Sequence, residues 1–208
     1  MSIIDERKRL LADRELRGSE FTLHLSDATD QWLHGLFSSV AENRVDLALI
    51  AVGGYGRRDL SPLSDLDVLL LHNDAADIEA VAEALWYPIW DQGEKLGHSV
   101  RTINETLTLA SEDLDTATAL LSSRIIAGSQ ALANELSGKA IDQWKSKAKF
   151  WLPKLAESVH SRHRAKGEVA FMLEPELKEG GGGLRDGHAM GWAISTGKDH
   201  LKLNIINF

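Results

Sequence analysis

The sequence predicts an α+β fold, α/β-like in its alternation of strands and helices, with a small mixed sheet between N-terminal helices and an all-helical region. Two short, continuous apolar runs, DLALIAVG (46–53) and DLDVLLLH (65–72), have the length of buried strands. The segments on either side carry apolar residues at helical spacing instead. The composition, 43% hydrophobic and 26% charged over 208 residues, is that of a globular chain of one or two domains.

The N-terminal region, residues 1–44, is predicted to form two helices. Apolar residues spaced among charges predict an amphipathic helix over 3–17 that ends at Gly18. Ser19 is a suitable N-cap for a second helix over about 20–43. We expect these helices to cover the sheet that follows.

The central region, residues 45–110, contains the predicted sheet. The two apolar runs supply its first strands, and HSVRTI (98–103) is interpreted as a third. Between the second and third strands, helical spacing returns over 75–96, and Pro88 is expected to kink that helix.

The C-terminal region, residues 111–208, is predicted to be helical. Helical spacing extends from Asn104 to about Gly167, and a last helix is expected to begin near Leu184, after the glycine run 180–183. The tryptophans are interpreted as core and helix-packing residues, namely Trp86, Trp90, Trp144, Trp151 and Trp192.

Composition excludes several classes of site. The chain has no cysteine, which excludes disulfides, thiolate metal sites and a cysteine nucleophile. The formal net charge of −8 disfavours broad binding to nucleic acid. No apolar stretch is long enough to span a bilayer, and the charged N-terminus is not a secretory signal. We therefore expect a cytoplasmic protein that binds neither nucleic acid nor membrane.

A glycine-rich segment, GGYGRRDL, follows the first predicted strand. Gly53 and Gly54 allow close approach of a ligand to the backbone, and a helical turn starting at Tyr55 or Gly56 would direct free N–H groups toward a phosphate. The segment has neither the Gly-Lys-Ser/Thr ending of a P-loop nor the three-glycine spacing of a dinucleotide-binding turn. It predicts a phosphate site of another class.

Asp65 and Asp67 begin the second predicted strand. Because they are two positions apart in a strand, their side chains leave the same face of the sheet. Two adjacent carboxylates repel each other unless a cation lies between them, and Mg²⁺ is commonly held by one or two carboxylates together with substrate phosphates. The pair predicts metal-assisted phosphoryl or nucleotidyl transfer. The alternative interpretation is a surface Asx turn leading into a strand.

This order of motifs resembles the nucleotidyltransferase fold of the DNA polymerase beta superfamily. The order is strand, GGYGR, a short linker, Ser-Asp-Leu-Asp and a second strand. In particular, the chain resembles the N-terminal part of the bacterial PII uridylyltransferase/uridylyl-removing enzymes. Three further segments match that family, so that the resemblance spans roughly residues 45 to 190: GHSVRT (97–102), DLDTATALLSSRIIAG (113–128) and LEPELKEGGGGLRDGH (173–188).

The resemblance implies a reaction and a set of site residues. The reaction is transfer of UMP, or AMP as in some actinobacterial relatives, from UTP or ATP to a tyrosine hydroxyl of the signalling protein PII, with release of pyrophosphate. Asp65 and Asp67 would be the catalytic residues that bind Mg²⁺. The nucleotide would contact four residues of the preceding segment: Gly53, Gly54, Arg57 and Ser64.

The second glycine-rich segment, residues 173–188, has two interpretations. It is either an exposed loop before a helix, or a loop that folds over the nucleotide so that Lys178 or Arg185 stabilises the departing pyrophosphate. A basic cluster precedes it: Arg162, His163, Arg164 and Lys166. We interpret this cluster as an exposed helix end, with a contact to phosphate or to an acidic partner as the alternative.

The chain departs from the family at three positions of interest. The superfamily usually supplies a third carboxylate from a neighbouring strand, where Ser99 stands here. The nearest acids, Glu94 and Glu105, are interpreted as solvated charges at helix ends. The family also tends to have glycine at Arg58 and proline at one of Gly181 and Gly182; we expect the residues found here to be tolerated.

The family extends far beyond the length of this chain, into a metal-dependent HD domain and two glutamine-sensing ACT domains. After Thr196 the sequence is not expected to match the family, and Asp199-His200 has the reverse order of an HD pair. We therefore expect neither nucleotide removal nor glutamine sensing. The alternative function is a non-catalytic fragment that binds nucleotide or PII.

Overall fold

The computed structural model describes residues 3–197, which form helices around one sheet. In chain order the elements are α1 (Ile3–Ala12), α2 (Gly18–Ala41), β1 (Leu47–Ala51), α3 (Gly53–Gly56), β2 (Leu66–His72), α4 (Ile78–Asp91), β3 (Leu96–Arg101), α5 (Ile103–Ala110), α6 (Leu114–Leu120), β4 (Arg124–Gly128), α7 (Gln130–Ser146), α8 (Ala148–Lys166), a 3₁₀ turn (Val169–Phe171) and α9 (Leu184–Ser195).

The four strands of the described chain form a mixed sheet in the order β3-β2-β1-β4. β1 pairs antiparallel with both β2 and β4, whereas β2 pairs parallel with β3. The α+β class and the mixed sheet predicted from the sequence are thus confirmed. The parallel pair places the first residues of β2 and β3 side by side at one edge of the sheet.

The expectation of an all-helical C-terminal region is wrong at β4. Residues 124–128 (RIIAG) pair with β1, and Gly128, at φ 90°, lies against the carbonyl of Leu47. A run of three apolar residues between two helical patterns cannot be assigned to strand or helix by periodicity alone. The sheet therefore takes one strand from beyond residue 110, while the division into three domains stays a prediction.

Three element boundaries also differ from the predicted ones. α1 ends at Ala12, five residues before the predicted end at residue 17. α2 begins at Gly18 with Arg17 as its N-cap, so Ser19 lies inside the first turn and does not cap the helix. β3 begins at Leu96, because backbone pairing with β2 starts two residues before the predicted strand.

The core has a layer on each face of the sheet. Leu49 and Leu70 face α2 and α4, while Ile50 and Leu69 face α5, α6 and α7. A smaller cluster joins α8 to α9 through Leu155 and its apolar neighbours.

The predicted packing roles of the tryptophans hold except for one. Trp144 and Trp151 are fully buried and stack with ring centroids 5.7 Å apart, and Trp86 is buried in the first layer. Trp90 is 43% exposed and lies beside the ring of His98 instead of in the core. Among the described residues, no helix combines the length and the apolar character needed to cross a bilayer.

Candidate active site

Asp65 and Asp67 lie together at the start of β2. Asp67 is the second residue of the strand and Asp65 immediately precedes the strand; both residues reach solvent, although the Asp67 carboxyl is partly buried. Within residues 3–197 neither carboxylate has a hydrogen bond or an ion pair within 4 Å. Two neighbouring acids at a strand end without an ion pair have the oxygen donors that Mg²⁺ prefers, and the metal site itself stays a prediction.

The pKa of Asp67 reflects its surroundings. Partial burial raises the pKa of this carboxyl above its usual value, and the neighbouring charge of Asp65 raises it further, while the ammonium group of Lys178 lowers it. Like-charge repulsion of this kind is relieved when a cation binds between the carboxylates. The electrostatics of the pair thus favour an added cation.

Gly53 brings the backbone up to the carboxylate of Asp67. Its φ is +57°, and a Cβ at this position would lie 3.6 Å from Oδ2 of Asp67. The helical turn α3 begins here, two residues before the predicted start at Tyr55. The sequence therefore placed the turn too late, and the predicted approach of a phosphate to this backbone stays a prediction. A Cβ on Gly54 would lie 3.8 Å from the Arg57 guanidinium.

The β3 position beside Asp67 is Gly97 and not Ser99. In the parallel register Asp67 pairs with Gly97, and Ser99 pairs with Leu69, one step farther along the same face. A Cβ on Gly97 would collide with Oδ1 of Asp67. β3 therefore offers no side chain at the position next to this carboxylate.

The two acids that flank β3 have different roles. Glu94 is buried and forms an ion pair with Arg7 at 2.6 Å, so its interpretation as a solvated charge is wrong. Glu105 accepts from the backbone N–H of Thr102 and completes a capping box at the start of α5, which confirms its place at a helix end. Within the described part of the chain no three His, Asp or Glu side chains form a possible metal cluster.

A buried polar network that the sequence did not reveal holds α3 in place. The Tyr55 hydroxyl donates to Asp30 at 2.7 Å, and Arg124 forms an ion pair with the same carboxylate at 2.6 Å. The Arg124 guanidinium also lies 5.5 Å from the centroid of the Tyr55 ring. Arg124 begins the strand that was expected to be helical, and its partner Asp30 lies 94 residues away, so no local pattern indicated this network.

Ser64 and Arg57 both make contacts within the loop between β1 and β2. The Ser64 hydroxyl accepts from the backbone N–H of Ser61 at 2.9 Å, which shapes the turn before Asp65. Arg57 donates to Asp59 at 2.8 Å. Both predicted nucleotide contacts therefore lie in this loop, and each already has a partner within it.

α9 meets this loop through His188, a residue that the sequence analysis did not single out. Its Nε2 lies 3.4 Å from Oδ2 of Asp59. Burial lowers the pKa of His188, and the charge of Arg57 lowers it further. The second glycine-rich segment therefore ends next to the first.

The structure separates the two predicted pyrophosphate-binding residues. Lys178 is exposed, and its positive charge lowers the pKa of Asp67. The Arg185 guanidinium lies 3.3 Å from Glu179, and the backbone N–H of Arg185 donates to the carbonyl of Lys178 at 3.0 Å. A role of either residue in binding pyrophosphate stays a prediction.

Asp186 fastens this loop to α8. It accepts from the backbone N–H of Gly182 at 2.7 Å, contacts His163 Nε2 at 2.9 Å, and forms an ion pair with Arg162. Burial would raise the pKa of Asp186, but these three partners together lower it.

The basic cluster is therefore only partly an exposed helix end. Arg164 is exposed and pairs with Glu157, whereas the side chain of Arg162 is only 12% exposed. Arg162 and His163 bind Asp186 within the protein, and Lys166 is exposed at the end of α8.

Comparisons with known proteins point to one family. A family model described as GlnD PII-uridylyltransferase matches residues 150–203, so the likeness extends past Thr196, contrary to expectation. Asp199 and His200 lie outside the described residues. A Streptomyces coelicolor protein named bifunctional uridylyltransferase/uridylyl-removing enzyme is 43% identical over 186 residues, 88% of this chain and 22% of the relative.

Other relatives carry the same name. The Mycobacterium tuberculosis protein is 48% identical over 141 residues, 67% of this chain and 18% of its own length. The Caulobacter vibrioides protein is 38% identical over 203 residues, 89% of this chain and 22% of its own length. The chain thus spans about a fifth of the length of the curated relatives it matches.

Proposed function

This chain belongs by sequence to the PII uridylyltransferase family, and we propose that it is a Mg²⁺-dependent nucleotidyltransferase. The reaction is transfer of UMP or AMP from UTP or ATP to a tyrosine of a PII signalling protein, with release of pyrophosphate. We place it in the cytoplasm and expect no role for nucleic acid, as the charge of −8 suggests.

The observation that carries the proposal is the unpaired carboxylate pair of Asp65 and Asp67. Oxygen ligands are those that Mg²⁺ prefers, and this ion usually takes one or two carboxylates together with water and substrate phosphates. The pair fits that donor set, because burial and mutual repulsion raise the pKa of Asp67 and no ion pair offsets its charge within residues 3–197. Since no third acid joins them there, phosphate oxygens would complete the coordination.

The surrounding residues support phosphate binding beside that pair. The backbone at Gly53 lies against Asp67, and Gly54 lies beside the Arg57 guanidinium. Lys178 would neutralise charge on the departing diphosphate, which is an electrostatic role. Arg57 and Ser64 are also proposed contacts of the nucleotide. On binding it, they would exchange their present contacts with Asp59 and Ser61 for contacts with the ligand.

The proposed step exchanges one phosphorus–oxygen bond for another. The tyrosine oxygen of PII forms a bond to the α-phosphorus, the bond from that phosphorus to the diphosphate breaks, and the hydroxyl proton passes to water. Mg²⁺ bound at Asp65 and Asp67 would supply charge neutralisation on the phosphates and a lower pKa for the attacking hydroxyl. Asp65 and Asp67 fix its position, and the short loop through Gly53 keeps the phosphates near it.

A second candidate function is a binding module without turnover. The finding that favours it is the position beside Asp67, where Gly97 stands and no third carboxylate is found within residues 3–197. Such a module would bind nucleotide or PII and transfer nothing.

One experiment distinguishes the two functions. The purified chain is incubated with a PII protein, Mg²⁺, and UTP or ATP labelled at the α-phosphate, and covalent label on PII is measured. We expect labelling by the wild type, loss of labelling in Asp65→Asn and Asp67→Asn, and unchanged labelling in Asp74→Asn, an exposed control just beyond the other end of β2. Undiminished labelling by either site variant would contradict the proposal, and nucleotide binding without label would establish the binding module.

A further inference from the structure

A cavity of about 240 Å³ lies between α6, α8 and α9, beside the second glycine-rich loop. We propose that this cavity binds the nucleobase and ribose of the nucleoside triphosphate, an inference that rests on the proposed nucleotidyl transfer. Its lining combines an indole, Trp192, with polar side chains from three elements, among them Asp115, Thr118 and Arg162.

The volume suits a small planar ring. One water occupies about 30 Å³ of liquid, so the cavity has room for on the order of eight water-sized groups. Pockets for drug-sized ligands are larger, about 300–1,000 Å³. A pyrimidine or purine base matches the smaller size, and its ribose can extend through the open side.

The polar lining offers hydrogen bonds that the protein does not use. Nε of Arg162 is buried without a hydrogen-bond partner, and Oε2 of Glu179 lies 4.0 Å from it, beyond hydrogen-bond distance. A buried donor left unpaired is costly, so a ligand carbonyl or ring nitrogen placed there would be favoured. The Asp115 side chain is exposed, has no hydrogen bond within residues 3–197, and can accept from a base N–H or a ribose hydroxyl.

α9 connects the cavity with the loop that precedes the aspartate pair. Arg185 and Trp192 of α9 line the cavity, and His188, which lies between them in the helix, has its Nε2 3.4 Å from Oδ2 of Asp59. Asp59 belongs to the loop between β1 and β2, and this loop leads into the aspartate pair. A base in the cavity and a triphosphate at the aspartate pair would therefore both adjoin α9.

The test separates the nucleoside end of the ligand from its phosphates. Isothermal titration with Mg²⁺ measures the affinity of the full chain for UTP, ATP and inorganic tripolyphosphate. Ser158→Tyr adds bulk at an exposed position that lines the cavity, and Asp115→Asn removes the free carboxylate. The matched control is His160→Tyr, which adds the same bulk on α8 outside the cavity.

We expect one of the two nucleotides to bind the wild type more tightly than tripolyphosphate does. Ser158→Tyr and Asp115→Asn should each lower the affinity for that nucleotide about tenfold, which corresponds to about 1.4 kcal/mol. The affinity for tripolyphosphate should stay unchanged. His160→Tyr should change neither affinity. Circular dichroism of every variant verifies the fold.

Three results would overturn the inference. Nucleotide affinity that Ser158→Tyr leaves unchanged would show that the cavity takes no base, while the proposed transfer would stand. Equal weakening of nucleotide and tripolyphosphate would place the effect at the phosphates. If the wild type bound UTP and ATP no more tightly than tripolyphosphate, the nucleoside would have no site. If it bound none of the three ligands, the proposed function itself would fail.

Discussion

Gly97 lies directly against the carboxylate of Asp67, at paired positions of the parallel strands β3 and β2. The absence of a side chain on Gly97 is what leaves room for Oδ1 of Asp67. The orientation of a proposed metal ligand thus depends on a glycine 30 residues farther along the chain.

Gly97→Ala is expected to displace the Asp67 carboxylate and to reduce nucleotidyl transfer at least about tenfold, because misplaced catalytic groups cost rate steeply. The measurement is labelling of PII together with the midpoint of thermal unfolding. The control is Gly138→Ala in α7, where an added Cβ meets nothing within 4 Å. This control should retain activity and gain about 0.5–1 kcal/mol of stability. Full activity in Gly97→Ala would show that the position of Asp67 is not restricted by β3.

Asp67→Asn should stabilise the chain at neutral pH while abolishing transfer. Burial and the charge of Asp65 raise the pKa of Asp67 above 3.8, so the folded state favours the protonated carboxyl. Its contribution to stability is present below the unfolded pKa and is lost as pH rises through the folded pKa. In urea unfolding, the variant should therefore have a higher free energy of unfolding than the wild type at about pH 7. The difference should shrink as the pH falls toward about 4. Added Mg²⁺ should stabilise only the wild type; an equal effect on both would argue against Asp67 as a ligand.

Asp186→Ala should release the glycine loop from α8. The variant leaves the N–H of Gly182 and the side chains of Arg162 and His163 without their shared acceptor, at a cost of about 1–3 kcal/mol. The pKa of Asp186 is lowered, so the anchoring is present above the unfolded pKa and is lost as pH falls through the folded one. Hydrogen exchange at Gly182 should accelerate at neutral pH. Glu157→Ala, which removes an exposed ion pair on the same helix, should change stability by less than about 1 kcal/mol.

Arg58→Gly should be tolerated. Arg58 has φ +64°, a conformation that disfavours side chains by about 1–2 kcal/mol and that glycine adopts freely. The substitution also removes an exposed ion pair with Asp27 at 3.0 Å, worth at most about 1 kcal/mol. We expect urea unfolding to show equal or slightly higher stability, with activity retained. A large loss of activity would instead assign Arg58 a role in the site.

Tyr55→Phe should destabilise the chain by about 1.5–3 kcal/mol, since a buried hydrogen bond to a charged acceptor is lost. Because Arg124 remains paired with Asp30, the loss should be smaller than in Asp30→Ala, which leaves both partners unsatisfied. Chemical denaturation of the two variants measures the difference. Equal losses would mean that the hydroxyl, and not the ion pair, dominates the network.

The amino-acid sequence by itself determined the mixed α+β class, the first two strands and the position of Asp65 and Asp67 at the start of the second strand. These features depend on local periodicity and on the chemistry of neighbouring residues, and all of the residues involved lie within one short segment. The resemblance to the PII uridylyltransferase family was confirmed for the same reason, because its motifs are short and contiguous.

Tertiary structure alone decided which distant residues complete the site. It added β4 to the sheet and placed Gly97 instead of Ser99 beside Asp67. It also joined Asp30, Tyr55 and Arg124 beneath α3. Strand register and contacts between residues tens of positions apart follow from how whole faces pack, and no local pattern encodes them.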